Sequence, residues 1–329
     1  MTSPAASPAG AARSAGVPDH RFFLSAFLRS WGRHDPLPSR VNDWETPMSE
    51  EHPVPVVLLH GTWMNAYGTW SYIAPKLVAR GYRVFALNYG GDDESLLGRR
   101  RCCFASGPLL DATEDIGRFI DRVLEATGAE KVDVVGHSQG SAQARMLVTE
   151  HEGRFAGGEP KIRNIIGLAG SGNGTTLMGL GTLTAKLREA LHGRVDVSRI
   201  VRSVLGGCAE DQIVDSDVIN HINRDGHTVP GVDYTMIGTR YDEVVTPWRT
   251  QFLTPGEGAS VRNHCVQSDG NSGDWSDHLS ICYSPRSFDL ILERLSDSDS
   301  GEDGAYRRAH PHVVARVVPV LGQLLQRGY

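Results

Sequence analysis

Gly136-His137-Ser138-Gln139-Gly140 decides how this chain is read. The apolar run Val132-Asp133-Val134-Val135 leads into it, and Ser141-Ala142-Gln143-Ala144-Arg145-Met146-Leu147 follows. β-Branched residues before it and good helix formers after it predict a strand, a sharp turn and a helix, with a serine at the tip. Glycines two before and two after the serine remove the Cβ atoms that would hold strand and helix apart. Such a turn is strained at its centre and lifts the Ser138 hydroxyl above the edge of a sheet, the geometry of a nucleophile elbow. In a chain with 37 glycines the five-residue pattern alone carries little weight. Its place between a strand and a helix separates it from an ordinary glycine-rich turn.

Strands and helices alternate on both sides of the elbow. Val54-Pro55-Val56-Val57-Leu58-Leu59 reads as a buried strand ending in His60-Gly61-Thr62-Trp63. A helix is predicted over about 70–80, with Ile73, Leu77 and Val78 on one face and Gly81 as its stop. Residues 82–87 form the next strand, and an irregular loop runs over about 88–108. Asp111-Ala112-Thr113-Glu114 has the form of a capping box. Behind it Ile116, Phe119, Ile120, Val123 and Leu124 make one apolar helix face, ended by Gly128. Further strands are expected over 162–168, 232–237 and 259–263, and a helix over 285–295. This alternation predicts an α/β fold: a mostly parallel sheet covered by helices on both faces.

Between 171 and 231 the alternation breaks. Leu177, Leu180, Leu183, Leu187 and Leu191 fall at helical spacing, as do Val197, Ile200, Val201, Val204 and Leu205, then Val218, Ile219 and Ile222. The expectation is a helical cap inserted before the late strands, its apolar faces lining an acyl pocket or packing on the core. Residues 1–18, rich in Ala, Ser, Pro and Gly, are expected to be a disordered tail. Residues 19–295 are expected to form the catalytic domain, and 296–329 an acidic linker with an amphipathic helix that docks on the body, kinked at Pro319.

Bulk properties exclude some classes. The 329 residues carry a net charge of −6 with pI near 6.1, and Arg99-Arg100-Arg101 is too short to be a nucleic-acid footprint. No apolar stretch reaches transmembrane length. Phe22-Phe23-Leu24-Ser25-Ala26-Phe27-Leu28, between Arg21 and Arg29, lacks a small-residue cleavage site after it and reads as a short docking helix. The start is compatible with either an exported or a cytoplasmic protein. Five cysteines cannot all pair within one chain. A disulfide between neighbours Cys102 and Cys103 would be strained, and a Cys208–Cys265 bridge is the one expected if the protein is exported.

A serine hydroxyl needs a base, and the base needs a carboxylate to fix its tautomer. After a nucleophile elbow the chain order is acid, then histidine. Asp242, four residues beyond Gly238, fits the acid, with Glu243 as the alternative; Asp211, Asp215 and Asp217 fall in the cap. His278 fits the base better than His264, too near its strand, or His310, beyond the linker. Asp277 is expected to be a loop charge. Asp269-Gly270-Asn271 with Asp274 lacks EF-hand spacing, and no metal is expected. An oxyanion needs preorganised N–H donors; Gln139, after the nucleophile, and Thr62, after the early strand, are the candidates. His60 is expected to hold that loop, and His137 to pack near the elbow.

Several long motifs in order carry a resemblance. They are His60-Gly61-Thr62-Trp63 with Asn65-Ala66-Tyr67-Gly68-Thr69-Trp70, Gly107-Pro108-Leu109-Leu110-Asp111, and the elbow. Gly167-Leu168-Ala169-Gly170-Ser171 with Gly174-Thr175-Thr176, and Thr239-Arg240-Tyr241-Asp242-Glu243-Val244-Val245-Thr246-Pro247, follow. Over roughly 53–295 the chain resembles the actinobacterial class 2 lipases. The resemblance implies the α/β-hydrolase fold, an esterase or triacylglycerol lipase, a triad of Ser138, Asp242 and His278, oxyanion donors Thr62 and Gln139, and no cofactor. It implies small-molecule or lipid ester substrates, transient contact with a lipid interface, and export; the charge balance argues separately against a nucleic-acid partner. The loops at 99–103 and 266–275 and the C-terminal extension depart from the family pattern. Acyl transfer or polyester cleavage by the same residues, and a silent binding protein on this fold, are the alternative readings.

Overall fold

A computed structural model describes residues 18–151, 160–176, 196–268 and 273–300. Six strands, β1 Val56–Leu59, β2 Val84–Ala86, β3 Val132–His137, β4 Ile162–Leu168, β5 Asp233–Gly238 and β6 Ser260–Cys265, form one sheet. Their order is β2-β1-β3-β4-β5-β6, and every neighbouring pair is parallel. The continuous apolar runs make sense on this arrangement, because both faces of the sheet are covered. Val56, Leu58, Val84, Ala86, Val135, Ile166 and Leu168 face one core, and Val57, Leu59, Phe85, Val134 and Ile165 face the other.

The first core is covered by α1 Phe23–Ser30, α2 Ala66–Trp70, α3 Ala74–Val78 and α9 Pro285–Ser300. The second is covered by α4 Leu109–Thr127 and α5 Gln139–His151. α6 Val197–Leu205, α7 Cys208–Asp211 and α8 Asp217–Ile222 lie between β4 and β5. The chain passes from β1 outward to β2, then back to β3 on β1's other side. Strand order therefore reverses at the β1/β3 boundary, where a crevice opens at the carboxyl ends of a parallel sheet.

Several expectations need correction. The helix expected over 70–80 is two short helices. Asn65 caps the first, its Oδ1 accepting from Gly68 N at 2.7 Å, and Pro75 sits in the first turn of the second. Asp111 is not a cap: α4 already begins at Leu109, whose N–H donates to Asp211 Oδ2 at 2.9 Å. That cap is 102 positions away in sequence. The closing helix runs to Ser300, into the stretch read as linker. The expected Cys208–Cys265 bridge is absent. All five cysteines are free; Cys208 is buried among Leu109, Ala142 and Met146, while Cys265 ends an edge strand. Cys102 and Cys103 sulfurs are 3.6 Å apart, within hydrogen-bond contact but not joined by a disulfide.

Of the cap stripes, Leu177 to Leu191 lie outside the described residues. Val197 and Val201 pack with Ala209 and Trp63, whereas Ile200 and Val204 are exposed. Ile219 and Ile222 pack on Ala142 and Met146 of the elbow helix, so that stripe is core. The apolar stretch 22–28 docks as α1, burying Phe23 and Ala26. The terminal stripe 313–325 and His310 lie outside the described residues.

Close backbone approach makes the elbow. A Cβ on Gly140 would lie 2.3 Å from Leu59 O, and one on Gly136 would lie 2.5 Å from the Gly140 carbonyl carbon. Both neighbours are backbone and cannot step aside. Gly140→Ala is expected to lower the free energy of unfolding by about 3 kcal/mol, the upper end of overpacking effects. Urea denaturation followed by circular dichroism measures it; an unchanged midpoint would mean that strand and helix have room to part.

Candidate active site

β3 delivers Ser138 to the carboxyl edge of the sheet with φ +52°, a left-handed conformation that a β-carbon tolerates poorly. Flanking hydrogen bonds hold it there: Ser138 N donates to Leu168 O at 2.9 Å, and Ser141 N donates to Ser138 O at 3.0 Å. The hydroxyl faces His278, with Oγ 2.9 Å from Nε2. His278 Nδ1 lies 2.7 Å from Asp242 Oδ2. A carboxylate only accepts, so Nδ1 carries the proton and Nε2 is left to accept from the serine. Asp242 is fully buried. Its Oδ1 accepts from Val244 N at 2.8 Å and Val245 N at 2.7 Å, and its Oδ2 also accepts from Gln251 Nε2 at 2.9 Å.

The three residues named from chain order are thus within one hydrogen-bonded row, drawn from the ends of β3 and β5 and the loop after β6. Glu243, the alternative acid, does not reach His278 by a hydrogen bond. It is buried, and neither carboxylate oxygen has a partner among the described residues. Asp211 caps α4 instead. Asp215 and Asp217 lie in the turn before α8 and in its first turn. His264 lies within β6. Asp277 accepts from Ser280 N at 2.8 Å and so shapes the turn that follows His278.

Charge at this site is set by burial against carboxylates. Burial disfavours the imidazolium of His278, but the Asp242 carboxylate, by charge and hydrogen bond, and then Asp277 and Glu243 outweigh it and hold the pKa above the ordinary value. Glu243 shows the reverse balance. Burial first, then the charges of Asp277 and Asp242, push its pKa to about 7. His137 is pushed well below the usual range, by burial and then by neighbouring His278. Its Nε2 donates to His278 O at 2.7 Å, and a Cβ on Gly61 would lie 2.7 Å from its Nδ1. It therefore wedges between the Thr62 loop and the backbone of His278. His60, held near pKa 4 by burial, donates from Nδ1 to Gly61 O at 2.9 Å and stacks on Tyr89 at 4.5 Å.

Thr62 and Gln139 meet across the β1/β3 boundary, with Thr62 Oγ1 donating to Gln139 Oε1 at 2.7 Å. Among the described residues no acceptor takes the backbone N–H of either. Gln212, just after α7, completes this group. Its Nε2 lies 2.9 Å from Thr62 Oγ1 and 3.2 Å from Gln139 Oε1, and its Oε1 accepts from Ser171 Oγ at 2.9 Å. Trp63, next to Thr62, donates from Nε1 to Leu205 O at 2.7 Å. The Thr62 loop is thus tied to the segment between β4 and β5 at two points. Sequence reasoning missed Gln212 and Gln251. Each is a lone amide outside any motif, and only its burial marks it.

Asp274 is occupied by serine donors rather than poised for a cation: Ser284 Oγ donates to Oδ2 at 2.5 Å, Ser276 N donates to Oδ1 at 2.8 Å, and Ser276 Oγ donates to Oδ1 as well. Asp269, Gly270 and Asn271 lie outside the described residues. Among the described residues no group of three His, Cys, Asp or Glu side chains could hold a metal ion.

Residues 53–260 match the family model of the class 2 lipases. Over 132 residues the chain is 33% identical to an epoxide hydrolase B of Mycobacterium tuberculosis, covering 39% of this chain and 35% of that one. Over 100 residues it is 32% identical to a triacylglycerol lipase of Pseudarthrobacter phenanthrenivorans, covering 28% and 27%. These matches span about a third or less of the length of the curated relatives. Aspergillus fumigatus lipase B superposes with TM-score 0.56 at 16% identity, covering 80% of this chain and 55% of that one. A metagenome-derived lipolytic enzyme superposes with TM-score 0.50 at 15% identity, covering 76% and 95%. The fold is that of the α/β-hydrolases.

Glu243 gives a test with a defined sign. Its folded pKa, about 7, lies above the ordinary 4.5, so the folded protein keeps a proton that the unfolded chain has lost. Stability therefore falls as pH rises from about 4.5 to 7, and the whole penalty stands above 7. Glu243→Gln is expected to stabilise the protein at pH 8 and to change little at pH 4.5. Chemical denaturation of both proteins at the two pH values measures this, and an equal difference at both would overturn it.

Proposed function

We propose that the chain, which belongs to the class 2 lipase family, is a carboxylic ester hydrolase that works through an acyl-enzyme at Ser138. The observation that carries the reading is the row Ser138 Oγ, His278 Nε2, His278 Nδ1, Asp242 Oδ2, with steps of 2.9 and 2.7 Å on either side of the imidazole. In this reading His278 accepts the serine proton as Oγ attacks the ester carbonyl. Asp242 stabilises the imidazolium and keeps its tautomer, and is itself held in place by hydrogen bonds from two backbone N–H groups and Gln251. The backbone N–H groups of Thr62 and Gln139 receive the oxyanion. His278 then hands its proton to the leaving alcohol, and water repeats the sequence on the acyl-enzyme.

Gln212 acts as a positioning residue. It braces Thr62 and Gln139 against each other before substrate arrives, so neither donor has to be reoriented as charge develops. Lipase-named relatives support an ester as the substrate class. Epoxide hydrolase B is matched only over 35% of its length.

A p-nitrophenyl ester series from acetyl to palmitoyl tests the reading. Wild type is expected to turn over at least part of the series and to be labelled by a fluorophosphonate, while Ser138→Ala does neither and remains folded. The base must be neutral to act, and its pKa lies above the ordinary 6.5, so kcat/KM is expected to fall with acid at a midpoint above that value. Wild-type activity surviving in Ser138→Ala would overturn the mechanism. Activity rising with chain length would identify a lipase, and activity confined to short acyls an esterase.

Gln212→Ala is expected to lower kcat about tenfold with KM little changed, less than the roughly 100- to 1,000-fold loss on deleting a donor outright. Steady-state kinetics on one soluble ester decide it. A change in KM alone would assign Gln212 to substrate binding instead.

A further inference from the structure

Helix α1 is apolar on two sides. Its inner side buries Phe23 and Ala26, with the Phe23 ring edge-on to Tyr283 at 6.3 Å. Its outer side carries Leu24 and Leu28, 55% and 60% exposed, flanked by Phe22 at 66% and Trp31 at 55%. Exposing four large apolar side chains within ten residues is costly for a surface that meets only water. Charge singles out the same stretch. No acidic residue lies between Asp19 and Asp35, and Arg21, Arg29 and Arg33 are all exposed, in a chain of net charge −6.

The helix also stands next to the site. It packs on α2, which follows the Thr62 loop, and on the turn Ser280–Tyr283, which follows His278. Asn65, three residues beyond Thr62, donates from Nδ2 to Ser30 Oγ at 3.0 Å and so ties the last residue of α1 to that loop.

We infer that the outer face of α1 is a docking surface for an anionic lipid bilayer, which brings the site to the layer that holds its substrate. The second clause rests on the ester-hydrolase reading above; the first does not. Leucine and phenylalanine side chains enter the acyl boundary, tryptophan lies at the headgroup level, and arginines reach phosphates from the rim. Two other occupants fit less well. A second copy would bring its own Arg21, Arg29 and Arg33 against these three across a two-fold axis. Residues 1–17 contain no acidic side chain, and only Met1 and Val17 are sizeable apolar residues.

Co-sedimentation tests the surface without any turnover. Ser138→Ala protein is mixed with vesicles of phosphatidylcholine alone, or with three-tenths phosphatidylglycerol, at low and high salt. Binding is expected to the anionic vesicles, weakened by salt. Leu24→Glu with Leu28→Glu is expected to weaken it more than tenfold, and Arg21→Gln with Arg29→Gln about tenfold at low salt. In the active protein both double variants should hydrolyse a soluble acetyl ester as wild type does, because none of these side chains touches the reacting groups. Absence of binding to anionic vesicles, or equal binding by the variants, overturns the inference. So does self-association, seen by sedimentation velocity and lost in the leucine variant, in a protein that ignores vesicles. If vesicles bind as expected but no ester is cleaved, the surface stands and the hydrolase reading fails.

Discussion

The backbone of α5 and the carboxyl ends of β1 and β3 touch at Gly136, Gly140 and Leu59, and the rest of the molecule is arranged around that contact. With side chains at either glycine the helix would stand off from the sheet, and Ser138 would not be forced to φ +52°. The same approach sets Gln139 at the first turn of α5, where helix N–H groups have no partner within the helix. It also brings Gln139 beside Thr62, because β1 and β3 are neighbours although 77 positions separate the two residues. One steric condition thereby fixes the serine and both candidate oxyanion donors.

Around this contact the site divides carboxylates by environment. Asp242 accepts from two backbone N–H groups and the Gln251 amide; Glu243, next in sequence, has no donor among the described residues and holds its proton to about pH 7. Adjacent residues of similar chemistry thus do different things, and the difference lies in which way each side chain points from one tight loop. The histidines divide similarly. His278 keeps its basicity through Asp242, whereas His60 and His137, without a carboxylate partner, stay neutral: His137 wedges between backbone segments and His60 stacks on Tyr89.

Much of this was legible because its causes are local. Buried parallel strands write themselves as runs such as Val56-Val57-Leu58-Leu59, and the elbow as two glycines around a serine. Chain order then narrowed the acid and base to Asp242 and His278, which do lie within hydrogen-bond reach of one another and of Ser138. What escaped depends on distant partners. Asp111 looked like a cap because the real one, Asp211, arrives from another helix. Gln212 and Gln251 act through side-chain amides that no periodicity announces. Cys208 was misread as a bridge partner because spacing reports separation along the chain, while its surroundings are a hydrophobic cluster.

Gln212 stands on the segment between β4 and β5, yet its amide holds the two groups that would meet an oxyanion. Displacing that segment breaks both bonds at once, and Trp63, fastened to Leu205, goes with it. Such a connection is a thermodynamic coupling and runs both ways. If an ester oxygen is held as proposed, Gln212 links the groups holding it to the segment between β4 and β5. A molecule that engages the segment without reacting still alters how well the donors are set. In the proposed reaction, substrate selectivity would then depend in part on a stretch of chain that supplies none of the reacting groups.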